Sequence, residues 1–507
     1  MSEILTTAEL TQLRSAAQAY PWPVPTQAVS NGEFMPAPQN ARQREVEGRI
    51  RRLCNALAAR HGLDRRAFLA SAAGMATAFV AMNEVYGAVF AVDTAEASEP
   101  GVAAARADSL ASQTIIDLHT HFLRDDSGPG LQYFAELREK MRQTHQNPEL
   151  PDRPATLADL HLGTYVREIW FDSDTKIAAL SGAPSDLGPD WLLPNQSIAE
   201  TRDSINRFAG SRRLLSHFIF TPGQPGWLEE IDRGIEELHP DAWKGYTIGD
   251  NTHKDLSRYP WRMDDEQLAY RGYEKFAKAG IRSVAVHKGL YTRSDERRYP
   301  RLKQFAQVGD VGKAARDWPQ LNFLIYHAAY RYTGEGEPAI ALAEFERTGR
   351  MEWVSDLAEI PAKYGVSNVY ADIGASFAAC CVSEPRTAAA MLGILTKGLG
   401  VDHVLWGTDS IWFGSPQWQI EALRRLEIPA EMQRRHGFAP LGPADGPTKT
   451  AIFGMNAARI QQLPLTARWQ SDDALEHHRL AYHAQGYTRS NRAYGYIRAA
   501  RNSVGAA

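Results

Sequence analysis

Sulfur chemistry is nearly absent from this sequence, which has three cysteines, Cys54, Cys380 and Cys381, in 507 residues and no CxxC spacing. That excludes a disulfide framework, a thiolate zinc site and a paired redox motif. The adjacent Cys380 and Cys381 read as buried packing. An excess of one charge is lacking too, with 56 Lys and Arg against 60 Asp and Glu and a formal net charge of -4. Neither nucleic acid nor an anionic membrane surface is therefore expected as a partner. No apolar run approaches the roughly twenty residues that a membrane-spanning helix needs. What remains, 44% hydrophobic and 23% charged residues, is an ordinary soluble composition. The length suits one large barrel with appendages or two to three ordinary domains.

Proline clusters near the start, at Pro21, Pro23, Pro25, Pro36 and Pro38. Residues 1–40 accordingly read as an extended arm that wraps or frays. A helical period runs from about Gln43 to Val85. Within it, Asp64-Arg65-Arg66-Ala67-Phe68-Leu69 and the Ala-rich run to Met82 resemble a twin-arginine export signal at 64–82. The segment stands behind residues 1–63 and no clear cleavage site follows it. Two readings stay open: periplasmic export, or a helical arm packing Ala, Leu and Phe on the main domain of a cytoplasmic protein, which is the reading preferred here. Residues 92–111 turn to Ala, Ser, Glu, Pro and Gly, as a linker does. The expected division is an arm over 1–110, a main domain over 111–462 and a helical tail over 463–507.

From Thr114 short apolar runs alternate with helical patterns, the signature of βα units. Eight strands are expected: Thr114–His121, Lys176–Leu180, Leu214–Phe220, Ala242–Ile248, Ile281–Lys288, Asn322–His327, Asn368–Ile373 and His403–Asp409. Runs such as Phe323-Leu324-Ile325-Tyr326 are continuously apolar, as parallel strands enclosed by helices must be. Eight units favour an α/β fold of the (β/α)8 barrel type. The wide gap from 122 to 175 predicts a cap insertion after the first strand.

In such a barrel the reactive groups stand at the carboxyl ends of strands. Ile115-Ile116-Asp117-Leu118-His119-Thr120-His121 places two imidazoles at i and i+2, on one face of a regular strand that Asp117 would share. Converging neutral nitrogens suit Zn, Mn, Fe or Co. His287, His327 and Asp409 end the fifth, sixth and eighth strands. One histidine at a strand edge is usually a core residue. Three such ends together with an HxH are hard to assign to packing.

IDLHTH, VAVHKG, LIYHAAY and WGTDS resemble the amidohydrolase superfamily, specifically its amidohydrolase-2 branch, over about residues 114–462. Ile452-Phe453-Gly454-Met455-Asn456-Ala457-Ala458-Arg459-Ile460 is similar to the short helix that closes many members. The resemblance implies a metal held by His119, His121, His287 and Asp409, with Asp409 also transferring protons. It implies that His327 is either a second-metal ligand or the group that orients water or polarises substrate. Lys244 matches a fourth-strand lysine that some members carbamylate to bridge two metals; one ion is expected here, two if Lys244 is carbamylated. Zinc is the expected ion, with manganese, iron or cobalt as alternatives.

Lys288, Tyr330 and Trp412, close to the metal-face residues, are candidate substrate contacts. The expected activity is hydrolysis of a carbon–nitrogen or carbon–oxygen bond (amide, lactam, lactone or ester) in a small molecule through a metal-activated water. The alternative, which the same branch contains, is non-oxidative decarboxylation of a small carboxylic acid. A homo-oligomer, preferably a dimer, is expected. His477, His478 and His483 read as a solvated helix face.

Overall fold

Backbone hydrogen bonding in a buried region forces either a helix or a fully paired strand, and the main domain alternates the two. The computed structural model describes residues 22–124, 160–334, 337–464 and 473–486, with short pieces at 5–6, 8–9, 12–15 and 496–498. The strands are Ile116–Thr120 (β1), Ile177–Ser181 (β2), Leu214–Ile219 (β3), Ala242–Tyr246 (β4), Ser283–His287 (β5), Asn322–Tyr326 (β6), Val369–Asp372 (β7) and Val404–Leu405 (β8). They form one parallel sheet in sequence order. Thr120 pairs with Ser410, and Leu118 N donates to Trp406 O at 3.1 Å, so the sheet closes on itself. The fold is a (β/α)8 barrel, as the eight-unit count predicts.

The interior is filled by Ile116, Leu118, Ile177, Ala179, Leu215, Ala285, Leu324, Tyr326 and Leu405, with Ala457, Ala458 and Ile460 of the helix Asn456–Ile460 in the same cluster. Gly454 packs against the carbonyl of Thr114, just before β1, which sets that helix under the amino end of the barrel. All chemistry is thereby left to the opposite end.

One departure from regular strand geometry matters there. The register of β1 against β2 shifts between Asp117 and Thr120. A bulge of this kind re-aims side chains, and here Ile116 and Leu118 line the interior while His119 and His121 still reach the top. Asp117 does not share the histidines' inward face, as strict alternation predicts. It lies on the seam between β1 and β8, accepting hydrogen bonds from His119 N, Thr408 N and Thr408 Oγ1.

The N-terminal region packs on the last two βα units. Helices Ala41–Leu57, Arg65–Ala70 and Ala72–Tyr86 fold together, and Phe68, Leu69, Phe79 and Met82 are buried. Each large apolar side chain so placed contributes about 1.5–3 kcal/mol. The stretch 92–111 holds two short helices, Thr94–Ser98 and Val102–Leu110, because Asp93 caps the first and Leu110 is buried. In the tail, helix Ala474–Ala484 docks on Asn195–Ala209, with His483 Nε2 donating to Phe171 O at 2.8 Å, and Tyr496–Arg498 pairs antiparallel with Leu13–Ser15. The expected cap falls largely on residues 125–159, outside the described residues.

A buried ion cluster fastens arm to barrel. Glu421, on helix Gln417–Arg425, accepts from Arg106 at 2.9 Å, Arg424 at 2.8 Å and Arg425 at 3.2 Å, while Arg425 also reaches Glu96 at 2.7 Å. Burial pushes the Glu421 carboxyl up, but the three guanidinium groups outweigh it and hold it well below the usual carboxylate range. Its folded value lies below its unfolded value, so its stabilisation is complete above the unfolded value near pH 4.3 and is lost as pH falls below it. Glu421→Gln is expected to cost about 3–5 kcal/mol at pH 7, since it strands buried cations. Urea unfolding checks this, with the gap to wild type narrowing as pH is lowered below about 4.

Candidate metal centre

A histidine ligates well when one ring nitrogen is tied down and the other left bare. At the top of the barrel this happens repeatedly. His121 Nδ1 donates to Ser181 O at 2.7 Å and His327 Nδ1 to Gly374 O at 2.9 Å. His119 Nδ1 faces Asp372 Oδ1 at 3.0 Å. Because a carbonyl only accepts, the Nε2 atoms of His121 and His327 carry the lone pairs. Asp409 Oδ1 lies 3.4 Å from both His119 Nε2 and His121 Nε2. The ligand atoms of His119, His327 and Asp409 lie within 4.8 Å of one another, and so do those of Glu33, His287 and His327. The expected ligands His119 and Asp409 thus fall in one group and His287 in the other, with His327, expected as a second-metal or polarising residue, common to both; His121 joins through its 3.4 Å approach to Asp409.

Burial sets the charge. His119 and His327 are held well below the usual imidazole range, chiefly by burial. Burial also raises the Asp409 carboxyl, pushes Asp117 up to about 7 and pushes Asp372 up to about 8. Lys244 on β4 is fully buried, its Nζ without a hydrogen-bond partner among the described residues and 3.2 Å from the Tyr326 ring centroid, and burial holds it well below the ordinary lysine range. Among the described residues His327 Nε2 and Asp372 Oδ2 are likewise buried without partners. Bare imidazole nitrogens around acids that resist ionising are what a divalent cation would satisfy. The donors present, imidazole and carboxylate without thiolate, fit such an ion.

The backbone is bent to reach this arrangement. His327, Ala328 and Ala329 leave β6 with φ of 61°, 49° and 55°, Ala375 follows β7 at 51° and Asp409 follows β8 at 57°. Left-handed geometry costs non-glycine residues about 1–3 kcal/mol each. Close packing around His119 and Asp372 removes any choice at two glycines. A Cβ on Gly407 would meet Asp372 Oδ2 at 1.9 Å, and one on Gly374 would meet His119 Nδ1 at 2.6 Å.

Sequence reasoning missed several contributors. Asn31 and Glu33, from the proline-rich arm, enter the site: Asn31 Nδ2 donates to Asp409 Oδ2 at 2.9 Å, and Glu33 Oε2 lies 3.1 Å from His287 Nε2. Burial pushes the Glu33 carboxyl up, but His287 beside it outweighs burial and holds it well below the usual range. Asp372, at the end of β7, was legible in principle as one more acid at a strand end. His217 on β3 donates through Nδ1 to Tyr326 Oη at 2.9 Å, whose own proton goes to Leu118 O, leaving His217 Nε2 bare.

Of the three candidate substrate contacts, only Trp412 lines the chamber, a space of about 30 Å³ that it shares with Asn31, Glu33, His119, His121, Tyr246, His327 and Asp409 among others. Lys288 gives its three protons to both Asp310 oxygens at 2.9 Å and to Phe305 O at 2.7 Å, leaving none for a substrate. Tyr330 is buried. Neither is among the described residues that line the chamber.

No family model matches the chain, and no curated protein matches it. Solved structures that it is similar to include 5-carboxyvanillate decarboxylase from Sphingomonas paucimobilis, at 14% identity over 69% of this chain and 100% of that one, with a TM-score of 0.39. An uncharacterised TIM-barrel protein from Bordetella bronchiseptica gives 14% identity over 69% and 98% of the two chains, with a TM-score of 0.42. A dihydroxybenzoic acid decarboxylase from Polaromonas, solved with bound manganese and an inhibitor, gives 14% over 69% and 97%, with a TM-score of 0.40. The functional reading rests on the residues of this chain's own site.

Asp372→Asn should weaken divalent-metal binding about 10–100-fold by loosening His119, and Gly407→Ala should do so at least as severely by evicting the Asp372 carboxylate. Competition against a chelator of known affinity measures both, and retention of wild-type affinity in both variants would contradict the assigned role of the His119–Asp372 contact.

Proposed function

We propose that the chain is a metal-dependent enzyme that removes carbon dioxide, without oxidation, from a small carboxylic acid. His119, His121, His287 and Asp409 would hold the ion, whose contribution is to chelate the acid and draw electron density from it. Zinc, expected from the motifs, and manganese both suit the donor set. One ion is the reading kept here. Lys244, with its bare amine, is the residue whose carbamylation would add a second.

The observation that carries the choice of reaction is the charge at the entrance. Above the chamber lies a cavity of about 360 Å³, of small-ligand size, lined by Arg293, Arg297, Arg298 and Arg498 with Glu9, Glu33 and Asp295 among its other residues. Glu9 pairs with Arg298 at 3.1 Å and Asp295 with Lys254 at 3.2 Å; four arginines against three carboxylates among the described lining residues favour an anionic substrate. Within the chamber, His327 presents Nε2 without a partner. There it takes up a proton beside the bound anion and delivers it to the carbon as the carbon–carbon bond breaks and carbon dioxide leaves. Trp412 and Tyr246 wall the chamber and exclude bulk water.

Hydrolysis, which the motifs alone place first, is the second reading. It is favoured by Asp409, whose Oδ1 faces both imidazoles of the HxH pair, where a carboxylate can take a proton from water. The two reactions leave different traces. With a small aromatic or unsaturated acid labelled at its carboxyl carbon, wild type is expected to release labelled carbon dioxide, and His327→Asn to lose about 10²–10⁴-fold in rate while keeping its metal. Solvent oxygen-18 incorporated into product without carbon dioxide release would instead establish hydrolysis.

A further inference from the structure

We propose that Glu33, carried in by the N-terminal arm, is a donor to the same metal centre, so that the arm completes the active site. The inference rests on the metal-dependent reading above. The geometry is built, not incidental. Ser30 Oγ donates to Phe34 O at 2.6 Å and accepts from Gly32 N at 2.9 Å, while Asn31 Oδ1 accepts from Glu33 N at 3.0 Å. This tight turn aims two side chains at one target. The Asn31 amide spans Asp409 Oδ2 at 2.9 Å and Glu33 Oε1 at 3.0 Å, which leaves Glu33 Oε2 to meet His287 Nε2 at 3.1 Å.

Packing holds the turn in place. Trp22, Val24, Val29 and Phe34 are buried, and Asn40 caps the helix Ala41–Leu57 that follows. The contact falls on a ring nitrogen of His287, one of the four proposed ligands, and the Glu33 carboxylate and His287 stand at ligand spacing from each other. A carboxylate so placed is a hard oxygen donor to the first-row divalent ions that suit imidazole. Among the described residues, Glu33 is also the one that lines both the outer cavity and the inner chamber.

A consequence concerns the segment resembling a twin-arginine signal. Residues 73–79 of the helix Ala72–Tyr86 are all buried, as are Phe68 and Leu69. A cut after this segment would carry away Asn31 and Glu33 together with part of the core. On this proposal, loss of the arm would cost metal affinity.

Metal-free full-length chain titrated with cobalt chloride tests the proposal. Glu33→Gln, nearly isosteric, is expected to weaken cobalt affinity about tenfold or more and to change the visible cobalt absorption, while the metal-free variant melts at the wild-type temperature. On unmodified protein, cobalt is expected to slow hydrogen exchange at the amides of residues 31–34. Equal affinity with an unchanged spectrum, or exchange at 31–34 indifferent to cobalt, overturns the role of Glu33 while leaving the barrel's own metal site standing. Wild type that takes up no cobalt overturns both.

Discussion

The top of this barrel depends on one constraint, that several imidazoles must present the same edge to one point, and the contact between His119 Nδ1 and Asp372 enforces it most tightly. Both side chains are buried. Glycine at 374 and 407 leaves room for them and nothing else. Left free, the His119 ring would choose its own tautomer and rotamer; tied to Asp372 it can offer only Nε2. Carbonyls do the same for His121 and His327, one at the end of β2 and the other just past β7. Strands adjacent to β1 and β6 thus orient His121 and His327, while His119 is oriented from β7, one strand further round, which the closure of the barrel brings within reach.

Stability is spent to reach this geometry. Left-handed residues after β6, β7 and β8, partnerless buried atoms and acids raised by burial all oppose folding. What offsets them is the apolar interior and the buried ion cluster around Glu421. A bound cation would satisfy much of the remaining strain at once, because it takes up the bare nitrogens and favours the ionised forms of Asp372 and Asp409. Folding and metal binding are coupled in that sense. The site is unfavourable without its ion and favourable with it.

How much of this was legible in the sequence follows from where each signal is stored. The eight strands were legible because parallel strands sheathed by helices must be apolar along their length, and the five ligand candidates because each sits where such a run stops. The bulge at 117–120 was not, since IDLHTH reads the same with or without it, and regular alternation puts Asp117 on the histidines' face. Lys288 and Tyr330 follow strand ends as convincingly as any ligand. Only the course of the backbone past β5 and β6 decides which of them line the chamber, and neither does. Asn31 and Glu33 lay beyond reach altogether: a proline-rich arm has no period, and its position is set by tertiary contacts some 250 to 380 residues away in sequence.

That arm alters the picture of the molecule. It is a structural element whose far end enters the barrel mouth, and its buried helices and the Glu421 cluster hold it there. The account as a whole stands on a cation at the meeting point of these side chains, and a crystal of purified protein measured above and below a metal absorption edge tests that most directly. The account predicts an anomalous peak about 2.0–2.3 Å from Nε2 of His119 and His121 and from Asp409. A map with no peak between these residues, from protein never exposed to chelator, would contradict it.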